Sequence, residues 1–182
     1  PWKFVPNDKY NRRLDATTQI PFSSGEKIMG SEFAIGTLAN CAGGITPWKT
    51  ILTCEENFDV FYGEAELDKR GRRKINYTDA FNKWYEHYPM PPEHYGWVVE
   101  VNPLTGEAKK LTALGRFSHE CATTVEVPDG RTVVYMGDDE RFDYVYKFVT
   151  AKPWNRQDRA ANRTLLDEGT LYVARFADDG KV

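Results

Sequence analysis

Three short segments of the sequence bring carboxylates together with a thiol, a histidine or an arginine. Residues 53–56 read TCEE with an aspartate three positions later, residues 115–120 read GRFSHE, and residues 137–143 read GDDERFD. Carboxylates that lie close together repel one another unless a cation or an arginine neutralises them. The alternative is that each acidic segment is a solvated turn. Taken together, the three segments predict a metal site.

The donor types narrow the choice of metal. Oxygen-only clusters suit calcium or magnesium, whereas a thiolate with carboxylates and an imidazole suits iron, zinc or another transition metal. Cys54 with Glu55 and Glu56 supplies the mixed donors, and Asp138, Asp139 and Glu140 supply oxygen only. We therefore expect a mixed site.

Several common sites are excluded by spacing. The segment after Asp138 lacks the sixth-position glycine and twelfth-position glutamate of a calcium-binding EF-hand loop. Ser118 is not in a GxSxG nucleophile elbow. The sequence contains no glycine-rich phosphate-binding motif and no HExxH zinc motif.

The cysteines are Cys41, Cys54 and Cys121, an odd number at wide spacings. This pattern argues against a disulfide framework and a closed zinc knuckle, so at least one thiol is free or binds a non-cysteine partner. A free cysteine is also a common small core residue.

Composition limits the partners. The 182 residues carry 24 Lys and Arg against 27 Asp and Glu, a net charge of −3, which gives no general attraction for nucleic acid. The basic run at residues 69–74, KRGRRK, could contact phosphate, but a solvated loop is the simpler interpretation. No apolar run reaches the roughly 18 residues of a membrane span. The first ten residues do not resemble a secretory signal, so we expect any targeting segment to lie outside this chain.

The elements that position these residues are predicted to be strands. Turns containing Pro and Gly separate the β-rich runs, as in antiparallel hairpins. The runs cover residues 95–101, 107–112, 121–127, 131–137, 143–149 and 169–176. Helices are predicted only at residues 78–87, with Thr78 as N-cap, and at residues 156–167. The fold class is therefore all-β, an antiparallel meander with short helical insertions, and the four-strand rhythm favours a β-propeller.

Residues 36–56, GTLANCAGGITPWKTILTCEE, closely resemble a signature of the PhoX family of bacterial alkaline phosphatases. The motifs ALGRFSHE, VYMGDDER, YVYKFV and LLDEGTLYVARF follow in the same order as in that family. The resemblance extends over most of residues 30–180. It implies a six-bladed propeller in the whole enzyme, of which residues 1–182 form one segment of two to three blades.

The resemblance also implies a calcium and iron centre at the propeller axis, where phosphate monoesters are hydrolysed. By this analogy Cys54 is the iron thiolate and Glu120 a carboxylate ligand. Weaker candidates for calcium or for supporting roles are Glu55, Glu56, Asp138, Asp139 and Glu140. Arg116 and Arg141 are candidates to stabilise phosphate charge, the alternative being ordinary pairing with nearby acids. The family's location implies a periplasmic or secreted protein exported by the twin-arginine route.

Departures from the family pattern leave a second hypothesis open. Lys49 and Cys121 stand where the family usually has glycine, so a backbone requiring a glycine conformation there would be strained. The family's later Arg-Pro-Glu motif, which supplies a further metal ligand and a phosphate-binding arginine, does not occur in the sequence. The alternative to an enzyme is a non-enzymatic calcium-binding propeller scaffold or interaction module.

Overall fold

The computed structural model describes residues 3–177, in which short antiparallel strands dominate. The strands are β1 (Gln19–Pro21), β2 (Phe33–Ile35), β3 (Asn40–Ile45), β4 (Ile51–Glu55), β5 (Glu64–Leu67), β6 (Arg73–Asn76), β7 (Val98–Val101), β8 (Ala108–Leu111), β9 (Thr123–Glu126), β10 (Arg131–Gly137), β11 (Val145–Pro153) and β12 (Gly169–Val173). The α-helices are α1 (Asp59–Tyr62) and α2 (Trp84–His87). The predicted mostly-β class with short helices is confirmed. No helix in the described residues is long and apolar enough to cross a membrane.

The first large sheet has four antiparallel strands in the order β3-β4-β7-β8. β4 is central, and its Thr53 pairs with Gly43 on one side and Val99 on the other. The predicted hairpin turn joins β7 to β8, where the Asn102 amide donates to the Glu107 carbonyl at 2.8 Å. The small hairpin of β1 and β2 lies against β8 through a bridge between Phe22 and Lys110.

The second large sheet also has four antiparallel strands, in the order β12-β11-β10-β9. Its β9–β10 hairpin closes at the predicted Pro-Asp-Gly turn, where Gly130 has φ 82° and donates to the Val127 carbonyl at 2.8 Å. An L side chain rarely adopts that φ, so this turn requires glycine. All six strands predicted from the β-rich runs are present, with ends shifted by a few residues.

The two large sheets share one hydrophobic core. Residues from β4, β7, β8, β10 and β11 all contribute to it. Its buried members are Trp48, Leu52, Cys54, Val98, Leu111, Leu114, Ala122, Val134, Met136, Phe148 and Leu166. The sheets also touch where the Thr124 hydroxyl donates to the Ile45 carbonyl at 2.7 Å. A Cβ on Gly44 would lie 2.0 Å from the Ala122 carbonyl oxygen, so this approach of β3 to the residues before β9 requires glycine.

An insertion between β4 and β7 carries both helices and the β5–β6 hairpin. It has its own aromatic core, in which the Tyr62 and Tyr95 rings stack at 4.3 Å. The basic run at 69–74 forms the tip of the hairpin. Three of its five basic side chains pair with carboxylates, Arg72 with Asp68, Arg73 with Glu93 and Lys74 with Glu66. This pairing supports the solvated-hairpin interpretation over a nucleic-acid contact.

The predicted helices are largely replaced by turns. Thr78 does not cap a helix, because its amide and hydroxyl both donate to the Asn76 side-chain oxygen, at 3.0 and 2.6 Å. Lys83 has φ 50°, so only the four residues of α2 are helical. At residues 156–167 the structure has two short 3-10 turns. There the Asn162 side chain donates to the Asn155 carbonyl at 2.9 Å, a local bond that competes with a continuous helix.

The two departures from glycine have different outcomes. Lys49 has φ 66° in the turn before β4, where its amide donates to the Thr46 carbonyl at 2.9 Å. A lysine in this conformation is strained, as expected for a position that favours glycine. Cys121 does not have a positive φ in the described chain, so a cysteine fits that backbone.

A fully buried ion pair within the first sheet also bonds to the backbone of the insertion. The Lys110 ammonium of β8 donates to the Glu55 carboxylate at 2.7 Å and to the His94 carbonyl at 2.8 Å. Both side chains are 0% exposed. The second Glu55 oxygen accepts the Trp97 amide at 3.1 Å, so the charge is held by several donors. Burial lowers the pKa of Lys110, while the Glu55 carboxylate favours its charged form.

We predict that Lys110→Met destabilises the chain by about 3–5 kcal/mol, because the Glu55 carboxylate is left buried without its cation. The control is Lys152→Met, which removes an exposed pair with Glu168 and should cost less than about 1 kcal/mol. Urea unfolding of the chain measures both. Equal losses in the two variants would show that the buried pair does not hold the fold.

We also predict that His94 makes stability depend on pH. Burial lowers the pKa of His94, and the Lys110 charge lowers it further. A histidine with a lowered pKa contributes stability above its unfolded pKa of about 6.5, and this is lost as pH falls below that value. Unfolding at pH 7.5 and 5.5 should reveal a loss of stability to which His94 contributes up to about 1 kcal/mol, so His94→Gln should reduce the loss by that amount. The exposed His87→Gln control should leave the loss unchanged.

Candidate metal centre

Three carboxylates from separate parts of the chain meet at one end of the two sheets. They are Glu56, directly after β4, Glu120, shortly before β9, and Asp139, shortly after β10. One ligand oxygen from each lies within 4.8 Å of the others. Glu56 is half-buried, and Glu120 and Asp139 are exposed, so the cluster is open to solvent. The spacing is suitable for three ligands of one cation.

Backbone hydrogen bonds fix this arrangement. The His119 amide donates to the Glu55 carbonyl at 3.0 Å, which places residue 120 beside residue 56. On the other side, the Glu120 amide donates to the Gly137 carbonyl, and the Asp139 amide to the Ser118 carbonyl, both at 3.0 Å. The segment at 118–120 is thus held between the ends of β4 and β10. This is the local reason that three segments distant in sequence contribute to one cluster.

The charge of the cluster is not balanced by protein cations. In residues 3–177 no lysine, arginine or histidine lies within ion-pair distance of Glu56, Glu120 or Asp139. Burial raises the pKa of Glu56, and the charges of Glu120 and Asp139 raise it further. The site therefore lowers its electrostatic energy by binding a proton or a cation.

Cys41 at the start of β3 adds a soft donor beside these carboxylates. Its thiol donates to the carbonyls of His119 and Glu120, at 3.1 and 3.2 Å. Burial raises the pKa of Cys41 to about 11, with a further contribution from Glu56. A bound metal would be needed to make it a thiolate at neutral pH. The sequence interpretation did not assign Cys41, because its position depends on a contact with residues 119–120 that sequence spacing does not show.

Cys54, the predicted iron ligand, is not among the clustered donors. Its side chain is 0% exposed and belongs to the core shared by the two sheets. Burial raises the pKa of Cys54 to about 12. Glu55 is likewise occupied, because its carboxylate is the buried partner of Lys110. These positions favour structural roles for Cys54 and Glu55.

The remaining acidic candidates lie in the connection between β10 and β11. The Asp138 side chain accepts the Glu140 amide at 3.2 Å, and burial raises the pKa of Asp138. Glu140 is exposed and accepts the Arg141 amide at 3.1 Å. Both stand beside Asp139 in sequence, but neither belongs to the three-carboxylate cluster found in the described residues.

The two candidate arginines have different surroundings. The Arg116 guanidinium donates to the carbonyls of Tyr95 and Pro92, at 2.8 and 3.1 Å, and pairs with Glu64. Its partner is therefore a carboxylate of the insertion and not Glu120. Arg141 is exposed, and its guanidinium has no ion-pair partner in residues 3–177. Of the two, Arg116 has its Nε and Nη2 donors bonded within the protein, whereas the guanidinium of Arg141 is the more available for a ligand.

His119, directly before Glu120 of the cluster, has a buried side chain. Its ring stacks on Phe117 at 3.6 Å between centroids, and its Nε2 lies 3.0 Å from the Gly115 carbonyl. Burial lowers the pKa of His119 to about 4, so the ring is neutral at pH 7. A neutral ring adds no charge beside the carboxylates.

Comparisons with known proteins agree on one family. The sequence matches the family described as alkaline phosphatase PhoX over residues 1–182. Comparison with curated protein sequences gives no match.

Among solved structures, the chain is similar to Pseudomonas fluorescens PhoX in complex with vanadate, a transition state analogue. The TM-score is 0.84 and the sequence identity 40% over 97% of this chain. The chain spans 35% of the length of that structure, consistent with a fragment of such a protein. The resemblance noted in the sequence motifs is confirmed, and the chain belongs to the PhoX family of alkaline phosphatases.

Proposed function

We propose that this chain forms part of a metal-dependent phosphomonoesterase. The observation that carries the proposal is the cluster of Glu56, Glu120 and Asp139, whose oxygens lie within 4.8 Å of one another. Within residues 3–177, no lysine, arginine or histidine lies within ion-pair distance of these three carboxylates. Membership of the PhoX family supports a phosphatase activity. The vanadate complex of the similar P. fluorescens protein supports a site that binds phosphate-like groups.

The donors suit the two expected metals, calcium and iron. Carboxylate oxygens are hard ligands that calcium prefers, and a thiolate suits iron. Glu56, Glu120 and Asp139 would supply the oxygens, and we propose Cys41 in place of Cys54 as the thiolate. The reason is position, since the Cys41 thiol lies 3.2 Å from the Glu120 carbonyl while Cys54 lies in the apolar core.

The chemistry would be hydrolysis of a phosphate monoester. Water forms a new bond to phosphorus, the bond to the ester oxygen breaks, and the leaving alcohol takes a proton. A bound metal would neutralise the phosphate oxygens and lower the pKa of water. Arg141 would donate to the phosphate through its unpaired guanidinium. Arg116 would be a positioning residue, because its bonds to the Tyr95 and Pro92 carbonyls hold the loop before Glu120 against the insertion.

The architecture and location follow from the same proposal. The two four-stranded meanders would be two blades of a β-propeller, with β3 and β9 nearest the axis, because the first strands of the two sheets are joined by the bond from the Thr124 hydroxyl to the Ile45 carbonyl. The remaining blades would lie in the rest of a whole protein of this family. We further propose a periplasmic or secreted location for that protein.

We predict that Cys41→Ala in the whole protein carrying this chain abolishes iron binding and hydrolysis of p-nitrophenyl phosphate, because the thiolate ligand is lost. Cys54→Ala should keep both and lower stability through the cavity it leaves in the core. Elemental analysis, turnover and thermal unfolding measure the three effects.

Cys121→Ala is the matched control and should change none of these quantities. Full iron content in Cys41→Ala would exclude Cys41 as the ligand. Calcium binding in the unsubstituted protein without any turnover would instead support the non-enzymatic scaffold.

We also predict that Glu56→Gln stabilises the metal-free chain by about 1 kcal/mol while weakening calcium binding. The substitution removes one of three repelling charges, and a raised carboxyl pKa costs stability above that pKa. Urea unfolding in chelator and calorimetric titration of calcium measure the two changes. The exposed Glu26→Gln should alter neither. A destabilised Glu56→Gln chain would contradict the uncompensated charge.

A further inference from the structure

The connection between β10 and β11 is a tight loop that begins at the carboxylate cluster. Gly137 and Val145 are paired at its base, and the Asp138 amide donates to the Tyr144 carbonyl at 3.1 Å. Within it, the Asp143 amide donates to the Glu140 carbonyl at 3.2 Å. The loop therefore holds its tip in a defined position relative to Asp139.

Phe142 at the tip of this loop is energetically unfavourable in two ways. Its side chain is 98% exposed, so no other residue in 3–177 covers this large apolar ring. Its φ is 70°, in the left-handed region that bulky residues rarely adopt. Nothing in the described residues compensates for either cost. Strain of this kind is concentrated at functional sites.

The backbone of Phe142 is close in sequence to the site where a phosphate ester would react. Phe142 follows Asp139 by three residues, and a chain spans at most about 3.6 Å per residue, so their Cα atoms are within about 11 Å. Arg141, with its available guanidinium, lies between them. A phosphate held by the cluster and Arg141 would place its organic group within reach of the Phe142 ring.

A row of rings supports this end of the loop. The Phe117 ring stacks on Tyr146 at 4.3 Å, and Tyr146 meets Tyr144 edge-on at 6.2 Å. Tyr144 is itself half-exposed, two residues after Phe142. The loop thus follows a row of packed rings and carries an uncovered ring three residues after Asp139. A flat aromatic group is the ligand that stacks best on such a ring.

We propose that Phe142 is a specificity-determining residue that stacks on the leaving group of the ester and favours substrates whose leaving group is aromatic. The inference rests on the proposed phosphomonoesterase function and adds the class of substrate. Simple aryl phosphates and nucleoside monophosphates share this chemistry, and they differ in the distance between phosphate and ring.

The test compares esters in the metal-loaded whole protein carrying this chain. The variants are Phe142→Ala, Phe142→Tyr and the control Phe81→Ala, whose ring is 75% exposed in the insertion. The substrates are phenyl phosphate, adenosine 5′-monophosphate and glycerol 2-phosphate. Changes in KM are compared for each substrate across variants, so the different reactivities of the esters cancel.

We expect Phe142→Ala to raise KM about tenfold for an aromatic ester, the scale of stacking losses when an aromatic ring is removed, and to leave glycerol 2-phosphate unchanged. Phe142→Tyr should retain the preference for aromatic esters, and Phe81→Ala should leave KM unchanged for all three esters. A raised KM for phenyl phosphate alone would identify the stacked group as a simple aryl ring. A raised KM for adenosine 5′-monophosphate would identify it as a nucleobase, which lies farther from the phosphate.

Equal changes for all three esters, or no change, would overturn the inference. A fall in melting temperature for Phe142→Ala well beyond that of Phe81→Ala would also overturn it, because Phe142 would then be a core contact with the rest of the protein. Absence of turnover of every ester by the unsubstituted protein would overturn the proposed function itself, which distinguishes the two failures.

Discussion

The structure depends on one buried charge, the carboxylate of Glu55. Removing a charged pair from water is costly, and the cost is offset only when the pair is close and fully hydrogen-bonded. Lys110, Trp97 and Leu38 provide those bonds, and in doing so they tie β8, the insertion and the segment before β3 to the end of β4. The backbone of Glu55 then positions His119, so the next side chain, Glu56, meets Glu120 at the cluster.

The adjacent carboxylates of Glu55 and Glu56 have opposite electrostatic surroundings. Glu55 is neutralised by a lysine inside the fold, whereas Glu56 has no protein cation within ion-pair distance in residues 3–177. The exposed cluster therefore retains repulsion that a bound metal would relieve. Asp139 and Phe142 belong to the same connection between β10 and β11, where charge repulsion, backbone strain and an uncovered ring occur together. Unfavourable energy is concentrated in the part of the chain that we assign to the reaction.

Much of the fold could be predicted because turn chemistry is local. The Pro-Asp-Gly turn at Gly130 specified its hairpin, and the strands followed from it. The prediction of a helix over residues 78–87 was wrong, because the Thr78 amide donates to the Asn76 side chain. The 3.6-residue pattern does not reveal this competing hydrogen bond. Of the candidate site, Glu56, Glu120 and Asp139 were among the predicted residues. Cys54 and Glu55 could not be separated from them, because the sequence does not reveal that Cys54 packs in the core or that Lys110 pairs with Glu55. Cys41 depends on a long-range contact with residues 119–120.

The central claim is that Cys41, Glu56, Glu120 and Asp139 bind metal. Anomalous X-ray diffraction from crystals of the metal-loaded whole protein, measured on either side of the iron absorption edge, tests it most directly. The account predicts an iron peak within bonding distance of the Cys41 sulfur and a metal peak within about 2.6 Å of the cluster oxygens. An iron peak bonded to the Cys54 sulfur, or metal peaks remote from all three carboxylates, would contradict it.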